Sequence, residues 1–138
     1  MLIRLLYFSE VCESLSISDI KSIVEMATEF NKTVGITGCL YFDEQFFIQV
    51  LEGDRFKVSQ LYNKIAKDNR HKNIVIVDVA PIAKRDFAQW SVLYLGKIRP
   101  KNETLLKYSP VNEFNPNYMT TENLLEFVLE LKNDVLKN

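Results

Sequence analysis

Apolar and polar positions along the chain fall into short blocks. Residues 2–8 (LIRLLYF) form a brief apolar run bounded by polar residues, which predicts a central β-strand. Beyond Ser18 and Asp19, apolar residues recur at Ile20, Ile23, Val24, Ala27 and Phe30. That spacing is helical, and Ser or Asp near its start is an N-cap signal. Gly35 and Gly38 punctuate the start of a second strand at 36–42, and Asp43-Glu44-Gln45 reads as the turn into a third at 46–52.

Gly53 and Asp54 mark the next boundary. A second helix is predicted over 55–67, burying Phe56, Val58, Leu61, Tyr62, Ile65 and Ala66. The β-branched run at 74–80 predicts a fourth strand ended by Pro81, and WSVLYL at 90–95 a fifth. This order, β-α-β-β-α-β-β, resembles a ferredoxin-like α+β plan: a mixed sheet with two helices on one face. The other face then needs cover. Residues 101–118 are rich in Asn and Pro, with a short helix expected at 103–108. Thr121 is expected to cap a final helix at 122–136, with an apolar stripe of Leu124, Leu125, Phe127, Val128, Leu131 and Val135. That stripe packs either on the open sheet face or on a partner chain.

Bulk properties exclude several classes. A chain of 138 residues fits one domain. Its 17 basic and 18 acidic residues argue against a direct nucleic-acid binder, leaving only a local patch at Lys97, Arg99 and Lys101. No apolar run reaches membrane-spanning length, and the N-terminus lacks the basic region and cleavage site of a signal peptide. Cys12 and Cys39 without CxxC spacing read as free thiols of a cytoplasmic protein. Metal binding is not expected, because a zinc site needs about four clustered N or S ligands and the chain has one histidine. His71, between Arg70 and Lys72 at a helix-to-strand turn, reads as solvated.

Two residues are less ordinary. Gln49 lies in FFIQVLEG, a strand otherwise apolar on both faces. A buried amide must find partners for its donors and acceptor, unless strand alternation turns it to solvent. Tyr7 lies late in the first strand, where a tyrosine is ordinarily a core residue with its hydroxyl at the rim. First and third strands neighbour each other in a ferredoxin-like sheet, so the two side chains would approach on one face.

Tyr7, Asn31, GITG at 35–38, FIQVLEG at 47–53, DNRH at 68–71 and Phe87 with Trp90 three residues on follow in order. Together they resemble the BLUF domain, a blue-light sensor using FAD, over roughly residues 1–97. The tail, 98–138, looks like that of short BLUF proteins without a separate output domain. The resemblance implies a ferredoxin-like fold with the flavin ring between the two helices. It implies Tyr7 as light-driven electron and proton donor, with Gln49 between Tyr7 and the ring. Asn31 would bond the ring's polar edge, Ile23, Phe30 and Ile65 would line its faces, and Asp68 and Arg70 would hold the ribityl side. Trp90 would lie near Gln49. Lys32 would stand at the pocket mouth or reach the FAD phosphates. In the expected cycle the Gln49 amide persists rotated or tautomerised, the absorption shifts slightly to the red, and darkness restores it.

One position departs from the pattern. Many BLUF domains carry Met two residues after the Trp; here it is Val92, which accepts no hydrogen bond. The expected function is a photoreceptor rather than an enzyme, because the chain is too short to add a cyclase or phosphodiesterase. Output would pass through residues 90–95 and the final helix to a downstream protein, or through homo-oligomerisation. The alternative is a light-insensitive ferredoxin-like interaction module, which Val92 supports. An acyl-phosphate hydrolase is disfavoured, since residues 9–16 lack the glycine and arginine of a phosphate loop. A flavin-dependent oxidoreductase would need a substrate pocket over the ring.

Overall fold

The computed structural model describes residues 1–13, 15–94 and 102–137. In chain order the elements are β1 (Leu2–Val11), α1 (Ile17–Val34), β2 (Thr37–Phe42), β3 (Phe46–Asp54), α2 (Arg55–Lys67), β4 (His71–Pro81), β5 (Ser91–Tyr94), α3 (Asn102–Tyr108), a 3-10 turn (Pro116–Tyr118) and α4 (Thr121–Lys137). The sheet order is β4-β1-β3-β2-β5. The β2–β5 pair is parallel and the others are antiparallel. This is the ferredoxin-like α+β plan. The predicted domain boundary at 97–98, Leu95, and the Lys97, Arg99 and Lys101 patch lie outside the described residues.

Alternation along β1 builds two cores. Ile3, Leu5 and Tyr7 pack with Leu51, Val58 and Leu61 on the side of α2. Leu6 and Phe8 pack on the opposite side with Ile48, Val50, Leu124, Phe127, Val128 and Leu131. The tail therefore covers the chain's own open sheet face. Its seating has polar fixings as well: the buried Tyr41 hydroxyl donates to the Val128 carbonyl of α4. Tyr108 of α3 donates to Glu130 Oε2 at 2.6 Å, and Lys107 to Glu130 Oε1 at 2.8 Å. Phe114 stacks on Phe127 at a centroid separation of 5.4 Å.

Local chemistry shifts some predicted boundaries. Ser16, not Ser18 or Asp19, caps α1: its hydroxyl accepts from Asp19 N and Asp19 Oδ2 accepts from Ser16 N, both at 3.1 Å. That reciprocal pair satisfies two otherwise orphaned donors. At α4 it is Thr120 Oγ1 that accepts from Asn123 N at 3.1 Å, while the Thr121 hydroxyl turns to the Val77 carbonyl at 3.5 Å. β4 starts at His71 rather than at 74, because polar residues at an edge strand pair as readily as apolar ones.

The two glycines of GITG have separate reasons. Gly35 ends α1 in the left-handed region at φ 69°. At Gly38 a Cβ would lie 1.8 Å from the Val50 carbonyl oxygen, so β2 approaches β3 only without a side chain there. Beyond Gln49 on β3, the fully buried Glu52 carboxylate accepts from Arg4 Nε at 2.9 Å and Phe87 N at 2.7 Å. Arg85 donates to Thr37 Oγ1 at 2.6 Å, the Glu52 carbonyl at 3.0 Å and the Gly35 carbonyl at 2.9 Å. These bonds fix the segment that delivers Trp90 and β5 to the sheet.

Burial pushes the Tyr41 phenol well above its ordinary value of 10.0. A raised folded-state value means the contribution to stability is complete below about pH 10 and is lost as pH rises further. Tyr41→Phe is expected to cost about 1 kcal/mol at neutral pH. It should also flatten the fall of melting temperature on the alkaline side, measured by thermal melts across that range.

Candidate functional site

The β1–β3 register places Tyr7 directly opposite Gln49. Directly opposed residues share a sheet face. Both side chains are buried, at 4% and 3% exposure, and the Tyr7 hydroxyl donates to Gln49 Oε1. Gln49 thus lies inside rather than turned to solvent. Burial, with lesser contributions from Tyr62 and Asp68, pushes the Tyr7 phenol far up and keeps it protonated. The Tyr62 ring meets Tyr7 edge-on at 5.9 Å.

In front of this pair lies a cavity of about 570 Å³, counting its open mouth. α1 contributes Ile23, Ala27 and Asn31, one helical face at four-residue spacing. α2 contributes Leu61 and Ile65, and the sheet contributes Leu40 and Phe47 beside Tyr7 and Gln49. Asp68, Arg70 and His71, at the α2–β4 turn, close one end. Two apolar helix faces and a polar rim suit a flat aromatic ligand with a polar edge.

Asn31 decides the fit. It is 1% exposed, and neither its Nδ2 nor its Oδ1 has a hydrogen-bond partner. Leaving a buried amide unpaired costs about 1–3 kcal/mol per group. A cavity-wall amide with one free donor and one free acceptor matches the alternating imide edge of a flavin ring. Gln49 offers a second such group: its amide nitrogen donates to no described residue.

At the far end Arg70 Nε donates to Asp68 Oδ1 at 2.8 Å, and the Arg70 backbone N to the same atom at 2.9 Å. The Arg70 guanidinium holds the Asp68 carboxyl below its ordinary value, and Asp68 raises Arg70 in turn. His71 is not solvated. Its Nε2 lies 2.6 Å from the Ile65 carbonyl, which only accepts, so Nε2 carries a proton. In the neutral ring Nδ1 then accepts from the Ser9 hydroxyl at 2.7 Å.

Phe30, expected on the ring's faces, differs. Phe30 is 37% exposed, with Lys64 Nζ 4.7 Å above its ring, and does not line the cavity. It falls one residue outside the Ile23–Ala27–Asn31 face. Lys32 is exposed and also off the cavity wall. Trp90 packs against the Tyr7 side of the core but is absent from the cavity wall; its Nε1 donates to Thr28 Oγ1 of α1 at 2.8 Å. Sequence reading missed Ala27, Leu40, Phe47, Leu61 and His71. Ala27 was legible as the midpoint between Ile23 and Asn31, but Leu40 and Phe47 reach the site only through strand pairing. Leu40 sits opposite Gln49 on one side and Val92 on the other.

Residues 2–93 match the family model for BLUF, sensors of blue-light using FAD. The chain belongs to the BLUF family. The BLUF chain superposes on the solved structure of BlsA in its photo-activated state with a TM-score of 0.84 at 36% identity, covering 95% of this chain and 94% of that one. On the BlsA ground state the TM-score is 0.83 at 34% identity, covering 95% and 87%. It is 37% identical over 92 residues to a photoactivated adenylate cyclase subunit beta of Euglena longa, covering 66% of this chain and 11% of the cyclase. A blue light- and temperature-regulated antirepressor of Escherichia coli (strain K12) is 36% identical over 83 residues, covering 59% of this chain and 21% of the antirepressor. The chain thus spans only about a tenth of the cyclase subunit's length. No described helix is long and apolar enough to cross a membrane, and no described cluster of three His, Cys, Asp or Glu would hold a metal.

Asn31→Leu gives a pair of effects of opposite sign. It should stabilise the flavin-free chain by about 1–3 kcal/mol, by removing an unpaired buried amide. It should weaken flavin binding by about tenfold. Denaturant melts of the flavin-free chain and fluorescence titration with flavin check the two halves.

Proposed function

We propose that this BLUF chain is a blue-light photoreceptor that holds FAD in the cavity between α1 and α2 and signals by protein contact rather than by catalysis. The observation that carries the reading is the buried Tyr7–Gln49 hydrogen bond on a cavity wall that also bears the unpartnered Asn31 amide. Asn31 would hold the ring's polar edge, Ile23 and Ile65 its faces, and Asp68 and Arg70 the side chain of the cofactor. Bound FAD would supply blue absorption and, once excited, a strong one-electron oxidant.

Everything else falls to the chain. Tyr7 is the phenol on the cavity wall, protonated because burial disfavours its anion. An electron lost from so buried a phenol must leave with its proton, and Gln49 Oε1 is the acceptor already in contact. Gln49 carries donor and acceptor on one amide. Rotation or tautomerisation therefore exchanges what it presents to the cavity, without any covalent bond to the cofactor. The altered bond would bias a two-state element, as in other local hydrogen-bond switches. Leu40, paired with both Gln49 and Val92, gives a direct route to β5 and the tail beyond it.

We place residues 1–97 as the sensor and 98–138 as the output extension, acting on a downstream protein in the cytoplasm. The free Cys12 and Cys39 fit a reducing compartment. Val92 cannot replace a hydrogen-bonding methionine, so transmission would rely on packing and backbone register.

The purified chain should be yellow, shift slightly to the red under blue light, and recover in the dark. Gln49→Leu should keep flavin bound and abolish the shift, as read by difference absorption. A normal shift in that variant would remove Gln49 from the mechanism. A wild-type protein without a photocycle would favour the interaction-module reading.

A further inference from the structure

Among the described strands β4 is the outermost beside β1, and it is unusually apolar: Val75, Ile76 and Val79 are 41%, 49% and 51% exposed. Long apolar edges are association sites unless a protein blunts them. The charges here do not blunt the edge evenly. Lys72 lies toward one end and Asp78 toward the other, and neither bonds or ion-pairs with a described residue.

Register shows how these residues face. Along β1, Leu6, Phe8 and Glu10 alternate onto one face, and their partners on β4 are Asp78, Val75 and Lys72. Three-residue spacing on one face of a strand is possible only because β4 is bulged, with register shifts between Leu6 and Tyr7 and between Phe8 and Glu10. Asn73 takes up the second bulge at φ 52°, and its amide donates to Glu10 Oε2 at 2.7 Å. That bond occupies the carboxylate beside Lys72. The result is a symmetric row on one face, with Val75 at the centre, a cation on one flank and an anion on the other.

We propose that two copies of this chain associate through the outer edge of β4, antiparallel, about a two-fold axis passing at Val75. A two-fold contact must be self-complementary, with each residue meeting its counterpart's mate. In this register Val75 meets Val75 of the partner subunit, and Lys72 meets Asp78 of the partner subunit twice over. On the opposite face Ile74 meets Ile76 of the partner subunit, apolar against apolar. A second copy is favoured over another protein because opposite charges at equal distances from Val75 are what self-pairing requires. The contact would join the two five-stranded sheets edge to edge, with Thr121 of α4 held on the Val77 carbonyl beside it.

The test is sedimentation equilibrium of the flavin-loaded full chain in the dark at low salt, where charge pairs are least screened. The wild type should sediment at twice the chain mass. Asp78→Lys should weaken association by about tenfold or more, since both copies then oppose lysines. Lys72→Asp should do the same by opposing aspartates. Each variant's flavin absorption and melting temperature report that it is folded. Mixing the two single variants should restore wild-type association, because every contact then joins opposite charges. A wild-type monomer at millimolar concentration, a single variant that associates as tightly as wild type, or a mixture no tighter than its components would each overturn the proposal. The first of these would leave the edge to a different protein.

Discussion

Direct pairing of Tyr7 with Gln49 across β1 and β3 is the constraint around which the molecule is arranged. A phenol and an amide buried together need each other as partners, and the strand register brings them to one face with no side-chain reach required. The same register turns Leu6, Phe8, Ile48 and Val50 to the opposite face, where a second core must form. A polar pair in the middle of a sheet thus demands helices on both sides. α1 and α2 wall the cavity in front of it, and α4 seals the back.

That two-sided arrangement ties the tail to the strand that flanks Gln49. The tail is part of the core: Leu124, Phe127, Val128 and Leu131 are all buried against the sheet, and Tyr41 ties α4 to β2. β2 also carries Leu40, which lies between Gln49 and Val92. One strand therefore touches the Tyr7–Gln49 pair through one residue and the tail through the next. Alternation in a strand, with neighbours pointing to opposite faces, is what lets six residues serve both.

Much of the site was legible before any coordinates. Helical spacing put Ile23 on the apolar face of α1, and the family resemblance brought Tyr7, Asn31, Gln49, Asp68 and Arg70 to a shared cavity. Phe30 failed because adjacent helical positions point about 100° apart, so it cannot share the wall that Asn31 faces. His71 was misread from its charged neighbours; Arg70 and Lys72 say nothing of a ring reaching inward to Ser9 and the Ile65 carbonyl. Leu40 and Phe47 looked like ordinary strand residues and became cavity wall only when the strand order was known.

Local chemistry written in the sequence determined the elements: apolar periodicity for strands and helices, and glycines where the backbone turns left-handed or approaches another strand. It also determined the donor set at the cavity. Tertiary structure alone decided what faces what. The apolar stripe of α4 fits a partner chain as well as its own sheet, and only folding chose the sheet. The bulges of β4 are set by how β1 and β4 pair, and they bring Lys72, Val75 and Asp78 to one face although simple alternation would separate Val75 from the other two. Periodicity is a property of one segment, whereas register and facing depend on two, and contacts between distant segments exist only after the chain has closed.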